Sequence, residues 1–96
     1  MRLRFSRRAE REVDRIDTRW RTERSAAPSL FTEELAAAVS LLRTSPEMGV
    51  PNRASRGSLV RRVLLEATRY HVYYVVDDEG VEVLAVWSSV RGRGPV

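Results

Sequence analysis

Leu59-Val60-Arg61-Arg62-Val63-Leu64-Leu65, Tyr70-His71-Val72-Tyr73-Tyr74-Val75-Val76 and Val81-Glu82-Val83-Leu84-Ala85-Val86-Trp87 are three runs rich in β-branched and aromatic residues. Such side chains suit a pleated, half-buried surface, so each run predicts a strand. Asp77-Asp78-Glu79-Gly80 joins the second run to the third, and its closing glycine can take the positive φ that a return to an antiparallel partner often needs. The C-terminal half is therefore expected to be a three-stranded meander. Alternation along its strands turns Val63, Leu65, Val72, Tyr74 and Val76 towards the core.

The preceding residues read as cover for that meander. Arg2-Leu3-Arg4-Phe5 alternates polar and apolar and predicts one short strand. Ser6 stops it and is placed to cap a helix whose apolar positions Ala9, Val13, Ile16 and Trp20 recur on one face. The opposite face carries Arg8, Glu12, Arg15 and Arg19, spaced for ion pairs of Glu12 with Arg8 and Arg15 in solvent. The pattern breaks across residues 23–28. Ser29 is the expected cap of a second helix, with Phe31, Leu35, Ala38 and Leu42 at helical spacing, and Thr44-Ser45-Pro46 ends it. Two helices with one apolar stripe each predict an antiparallel hairpin on one face of the sheet, with Leu35 and Leu42 against the meander. The expected fold class is α+β: an N-terminal strand, then the helix hairpin packed on a mainly antiparallel sheet, in one domain over residues 1–96. Residues 47–58, with Gly49, Pro51, Asn52, Ser55 and Gly57, read as an irregular connection.

Composition limits the chemistry. The 96 residues contain no cysteine and one histidine, which argues against disulfides and a protein-only zinc site; no metal and no cofactor are expected. No apolar run approaches the roughly 20 residues that cross a bilayer, and Met1-Arg2-Leu3-Arg4 leads into no signal-peptide core, so a soluble cytoplasmic protein is expected. The formal charge is +4, and all 17 basic residues are arginine. Codon usage in a GC-rich genome explains the absence of lysine without a functional cause. A basic surface still favours polyanionic partners, and guanidinium grips phosphate or carboxylate bidentately while being a poor proton donor or acceptor.

His71 is the one obvious proton-transfer group and the candidate catalytic residue; as a strand residue beside Tyr70 and Val72 it equally fits a half-buried structural role. Tyr70, Tyr73 and Tyr74 could stack on bases, or pack in the sheet with their hydroxyls reaching water. Arg61 and Arg62, as strand neighbours, project to opposite faces. Trp20 and Trp87 read as core or core-edge residues.

The ordered set of Leu42 followed by Pro46-Glu47-Met48-Gly49, then Val60-Arg61-Arg62-Val63-Leu64, Tyr70-His71-Val72-Tyr73-Tyr74-Val75-Val76-Asp77, and Val83-Leu84-Ala85-Val86-Trp87 leading to Arg91-Gly92-Arg93-Gly94-Pro95 resembles the RelE/ParE toxin superfamily. The resemblance implies a cytoplasmic toxin of a bacterial type II toxin-antitoxin pair, made beside an antitoxin that neutralises it. It also implies one of two mechanisms. RelE-like members are ribosome-dependent messenger RNA endonucleases using lysines, arginines and often a C-terminal tyrosine, histidine or glutamate. This chain has no lysine, His71 where such members commonly carry arginine, and Ser88 where many end the last strand with histidine. ParE-like members inhibit DNA gyrase and need no such set, so the ParE-like reading is favoured, with the endoribonuclease and a non-toxic arginine-rich binding module as alternatives. By the same resemblance Arg62 falls at a cleft cation, Arg61 is left to solvent, and Arg91 matches a functional arginine at the end of the last strand. The expected target-binding residues are Arg62, Tyr73, Arg91 and Arg93.

Overall fold

The computed structural model describes residues 1–52, 59–90 and 95. Strand β1 (Leu3–Phe5) precedes helices α1 (Arg7–Glu23) and α2 (Leu30–Thr44). A 3-10 turn at Pro46–Met48 leads to β2 (Val50–Pro51), β3 (Arg61–Leu65), β4 (Tyr70–Asp77) and β5 (Gly80–Ser88). Among these residues the strands form one sheet in the order β1-β5-β4-β3-β2. The expected meander is present, each of its strands antiparallel to the next, and β2 adds antiparallel to β3. β1 lies parallel to β5, from Leu3 opposite Val81 to Phe5 opposite Val83. The architecture is the α+β arrangement expected, with both helices on one face.

The helical stripes meet the sheet as their spacing requires. Ala9 of α1 with Phe31 and Leu35 of α2 pack against Leu65, Val72, Val83 and Val86, and Val13, Ile16 and Trp20 extend that contact. α2 runs along β4: Phe31 meets the Tyr70 ring edge-on at 5.4 Å, and Leu42 at the other end packs on Tyr74 and Val81. Leu35 and Leu42 are thus core residues, as are Leu65, Val72 and Tyr74. Val76 is not; it is 41% exposed. The reason is length, since α2 has no buried residue beyond Leu42 and nothing in it covers the end of β4.

Local chemistry explains the boundaries. Ser6 Oγ accepts from Ala9 N at 3.0 Å, the expected cap, while Ser6 N donates to Val83 O at 2.9 Å and so fastens the start of α1 to β5. Ser29 does not cap α2 with its side chain. Its φ of −101° and ψ of 4° lie outside the extended region an N-cap needs, and its carbonyl accepts from the Thr32 hydroxyl at 3.1 Å instead. The β4–β5 hairpin is tighter than expected: Asp77 pairs with Gly80, whose φ of +129° closes the turn. β3 begins at Arg61, leaving Leu59 65% exposed. Val50–Pro51, read from sequence as part of an irregular connection, forms β2 opposite Arg62 and Arg61.

A carboxylate far away in sequence shapes the turn between β3 and β4. Glu34 of α2 accepts from Ala67 N (2.7 Å), Thr68 N (3.0 Å) and the Thr68 hydroxyl (2.7 Å), next to Arg69 at φ 67°. Partial burial opposes the charge, but the hydrogen bonds from Ala67 and Thr68 outweigh it and hold the Glu34 carboxyl below the usual glutamate range. A depressed folded pKa stabilises the protein above the unfolded value, and that contribution fades as pH falls through the folded one. Glu34→Gln is expected to cost about 1–3 kcal/mol at neutral pH. In urea titrations the gap to the parent should shrink on acidification below the ordinary glutamate range. A gap independent of pH would mean that the charge of Glu34 does not hold the turn.

Candidate functional site

Two sides of β3 and β4 do different work, and the division starts with the pairing of Arg61 opposite Tyr74 and Arg62 opposite Tyr73. On the helix side the Tyr74 hydroxyl donates to Pro46 O at 2.6 Å and accepts from Gly49 N at 2.9 Å. Arg61 Nη1 donates to Gly49 O at 2.7 Å and Glu47 O at 3.3 Å. Arg61 is therefore not a solvated cation, because carbonyls left unpaired by the 3-10 turn take its donors. This latch accounts physically for the Pro-x-x-Gly spacing: proline opens the turn and the glycine lets the tyrosine hydroxyl reach the backbone.

Among the described residues no helix lies on the other side of the sheet. A β-bulge at Leu84 sets its contents. Tyr73 pairs with Ala85 and Tyr74 with Val83, leaving Leu84 as the extra residue. Val83 and Val86, three apart, consequently share the helix side, while Ala85 packs with Tyr73 and Val60 on the open side, with Trp87 against them. Strict alternation would place Val83, Ala85 and Trp87 on one face. His71 lies opposite Trp87 and Leu64 in the sheet, and its ring meets Tyr73 edge-on at 5.9 Å. Arg62 Nη1 reaches Asn52 Oδ1 at 3.3 Å, and the Arg8 guanidinium sits 5.8 Å from the centroid of the Trp87 ring.

The electrostatics of this face suit binding better than proton transfer. Partial burial lowers the His71 pKa, and the charges of Arg62 and Arg69 lower it further, so the imidazole is neutral at physiological pH. Burial raises the Tyr73 pKa while the charge of Arg62 works against it, leaving a protonated phenol. The face thus offers a neutral imidazole, an indole with a guanidinium over it, and the Arg62 cation, while the Tyr73 phenol is only 5% exposed and packs with Val60 and Ala85. Such a surface can stack aromatic groups and bind a carboxylate or phosphate. RNA cleavage needs an acid for the leaving oxygen as well, which a depressed histidine and a raised tyrosine supply poorly.

Of the residues singled out from sequence, the structure brings Arg62, His71 and Tyr73 together on the open face; Arg91 and Arg93 lie outside the described residues. Arg8, Asn52 and Trp87 join the face without having been foreseen. Arg8 reads from sequence as an outward helix residue, and no local signal ties it to an indole that only the β1–β5 pairing brings near.

The fold has counterparts among solved structures. A chain of the chromosomal ParDE toxin-antitoxin system from P. aeruginosa aligns with a TM-score of 0.74 at 18% identity, covering 92% of this chain and 95% of that one. The isolated E. coli RelE toxin aligns at 0.60 with 24% identity over 95% and 86%, and a chain of the E. coli RelBE toxin-antitoxin complex at 0.58 with 26% identity over 93% and 96%. The architecture is thus that of the small RelE/ParE toxins. No curated protein sequence is a significant match. The family model of the ParE toxin of the type II toxin-antitoxin system parDE matches residues 3–92, and the chain belongs to that family.

Proposed function

We propose that this chain is a cytoplasmic toxin that arrests growth by binding DNA gyrase and is held inactive by a cognate antitoxin. The observation that carries the reading is the ParE family match across residues 3–92. The chemistry of the open face supports it, because an arginine beside neutral His71 and Tyr73 suits docking on a protein target. Two of the solved relatives come from toxin-antitoxin assemblies, which supports an antitoxin partner. Arg62 and Tyr73 are assigned to the target-binding surface, with Arg91 and Arg93 as its further cations.

Purified protein should inhibit gyrase supercoiling and leave ribosome-engaged messenger RNA intact. Arg62→Ala is expected to weaken supercoiling inhibition by about tenfold or more, the effect of losing a central interface arginine. Its melting temperature should stay close to the parent's, because a partly exposed cation contributes little to folding. Replacing Arg91 and Arg93 together with alanine should likewise abolish growth inhibition without unfolding the chain. Cleavage of ribosome-bound message that disappears in His71→Gln would establish the endoribonuclease reading in place of this one.

A further inference from the structure

Arg69 ends the turn between β3 and β4 with a φ of 67°, alone among the described non-glycine residues in having a positive φ. A Cβ in this conformation crowds the backbone, and glycine or asparagine adopts it at lower cost. The turn does not let it relax. Arg69 N donates to Leu65 O at 2.7 Å, while Arg69 O accepts from Ser89 N at 2.8 Å and from the Ser89 hydroxyl at 2.7 Å. Ala67 and Thr68, just before it, are the residues that Glu34 holds. The backbone is thus clamped on both sides, which is how such a conformation persists.

That clamp uses only the backbone of Arg69. The residue is exposed, and its guanidinium makes no hydrogen bond or ion pair among the described residues. Its charge nevertheless reaches the His71 imidazole and helps to lower the pKa of that ring. The register explains this placement. Leu64, His71 and Trp87 lie in one row across β3, β4 and β5 on the open face, and Leu64 is 37% exposed. Arg62, two residues before Leu64, stands on one side of the row; Arg69, two residues before His71 on the antiparallel strand, stands on the other. Arg8, over Trp87, is already paired with Glu12 at 3.1 Å, and Glu12 also accepts from Val86 N at 2.8 Å.

We propose that Arg69 is a target-binding residue, kept in a left-handed conformation so that its guanidinium and that of Arg62 take carboxylates of the protein target on either side of an apolar centre made by Leu64 and Trp87. Glycine would close the same turn with less strain, so what the arginine adds lies outside the turn. An apolar centre flanked by guanidinium groups has the composition of a protein-protein contact, and the cations select an acidic partner. A nucleic-acid backbone would gain nothing from Leu64, and a second copy of the chain would bring arginine against arginine. Arg69 also borders a hollow with Trp20 and Ala27, but there Arg24 already lies 5.1 Å from the centroid of the Trp20 ring and Glu23 supplies a carboxylate of its own. The inference rests on the target-binding reading above and deepens it by naming a further cation and the acidic chemistry it meets.

The test compares variants of the full chain by thermal melting, gyrase supercoiling inhibition and growth arrest. Arg69→Gly should melt several degrees above the parent, because the strain is relieved, and yet inhibit about fivefold or more weakly. Stability and potency moving in opposite directions is a result that a structural role for the side chain cannot give. Arg69→Lys, which keeps both charge and strain, should melt like the parent and recover most of the inhibition, while Arg69→Glu should inhibit less than Arg69→Gly through repulsion from an acidic target. Unchanged inhibition or a lower melting temperature for Arg69→Gly, Arg69→Lys as weak as Arg69→Gly, or Arg69→Glu as potent as the parent would each overturn the proposal. So would an equal loss in Arg24→Ala, which would put the contact in the hollow, or oligothymidylate binding that Arg69→Gly abolishes, which would make the ligand a nucleic acid. A parent that arrests growth without inhibiting gyrase, beside an Arg69→Gly variant that no longer arrests it, would sink the gyrase reading and leave Arg69 its role on another target. Equal inhibition by the two would leave the gyrase reading standing and remove Arg69; a parent that neither inhibits gyrase nor arrests growth would remove both.

Discussion

Truncating Phe31 to alanine is expected to destabilise the protein by about 3–5 kcal/mol, a large part of the 5–15 kcal/mol typical of folded proteins. Phe31 has no exposed surface, and it stands in the main buried cluster with Leu35, Val72 and Val86. Its ring meets Tyr70 at an interplanar angle of 65°, an edge-on contact that adds to burial. Both helices and the sheet's three inner strands, β3, β4 and β5, converge there, so the cavity cannot close by moving one side chain. Leu35→Ala, in the same cluster, should cost about 2–5 kcal/mol. Urea unfolding checks both. An unchanged midpoint for Phe31→Ala would mean that the helix hairpin contributes little to the folded state.

Gly49→Ala should be nearly as damaging, through the latch rather than the core. A Cβ there would lie 2.5 Å from the Tyr74 hydroxyl, 2.8 Å from its ring and 2.9 Å from Arg62 O. The tyrosine is fully buried and Arg62 O belongs to a paired strand, so neither neighbour can give way cheaply. Displacing Tyr74 would leave its hydroxyl without Pro46 O and Gly49 N in a buried setting, and we expect a loss of about 2–4 kcal/mol. Tyr74→Phe removes only the hydrogen bonds and should cost about 1–3 kcal/mol. Measured together by thermal melting, Gly49→Ala should be the worse of the two. Equality would show that the ring moves aside freely.

The division of the candidate site between two faces shows how far sequence carried. That Arg61 and Arg62 project oppositely follows from strand geometry, and so does the grouping of Arg62, Tyr73 and His71 once β3 and β4 pair in register. Which arginine faces the latch and which the open sheet depended on what lies beyond each. Arg61 meets the carbonyls of Glu47 and Gly49, contributed by a turn whose position only the folded chain reveals.

By its own pattern the sequence determined the helices, the three long strands and their pairing, because those depend on periodicity, capping and turn residues within a few positions. It could also place Ser6 at the start of α1, where the cap bonds a residue three along. Tertiary structure alone decided the parallel seating of β1 on β5, the bulge at Leu84, the reach of Glu34 to Thr68 and that of Glu12 to Val86. Each joins residues far apart in the chain through a backbone group or an odd register, and neither leaves a periodic trace. A carboxylate on a helix looks the same in sequence whether it faces water or an unpaired amide; the difference arises only when packing brings that amide within hydrogen-bonding distance.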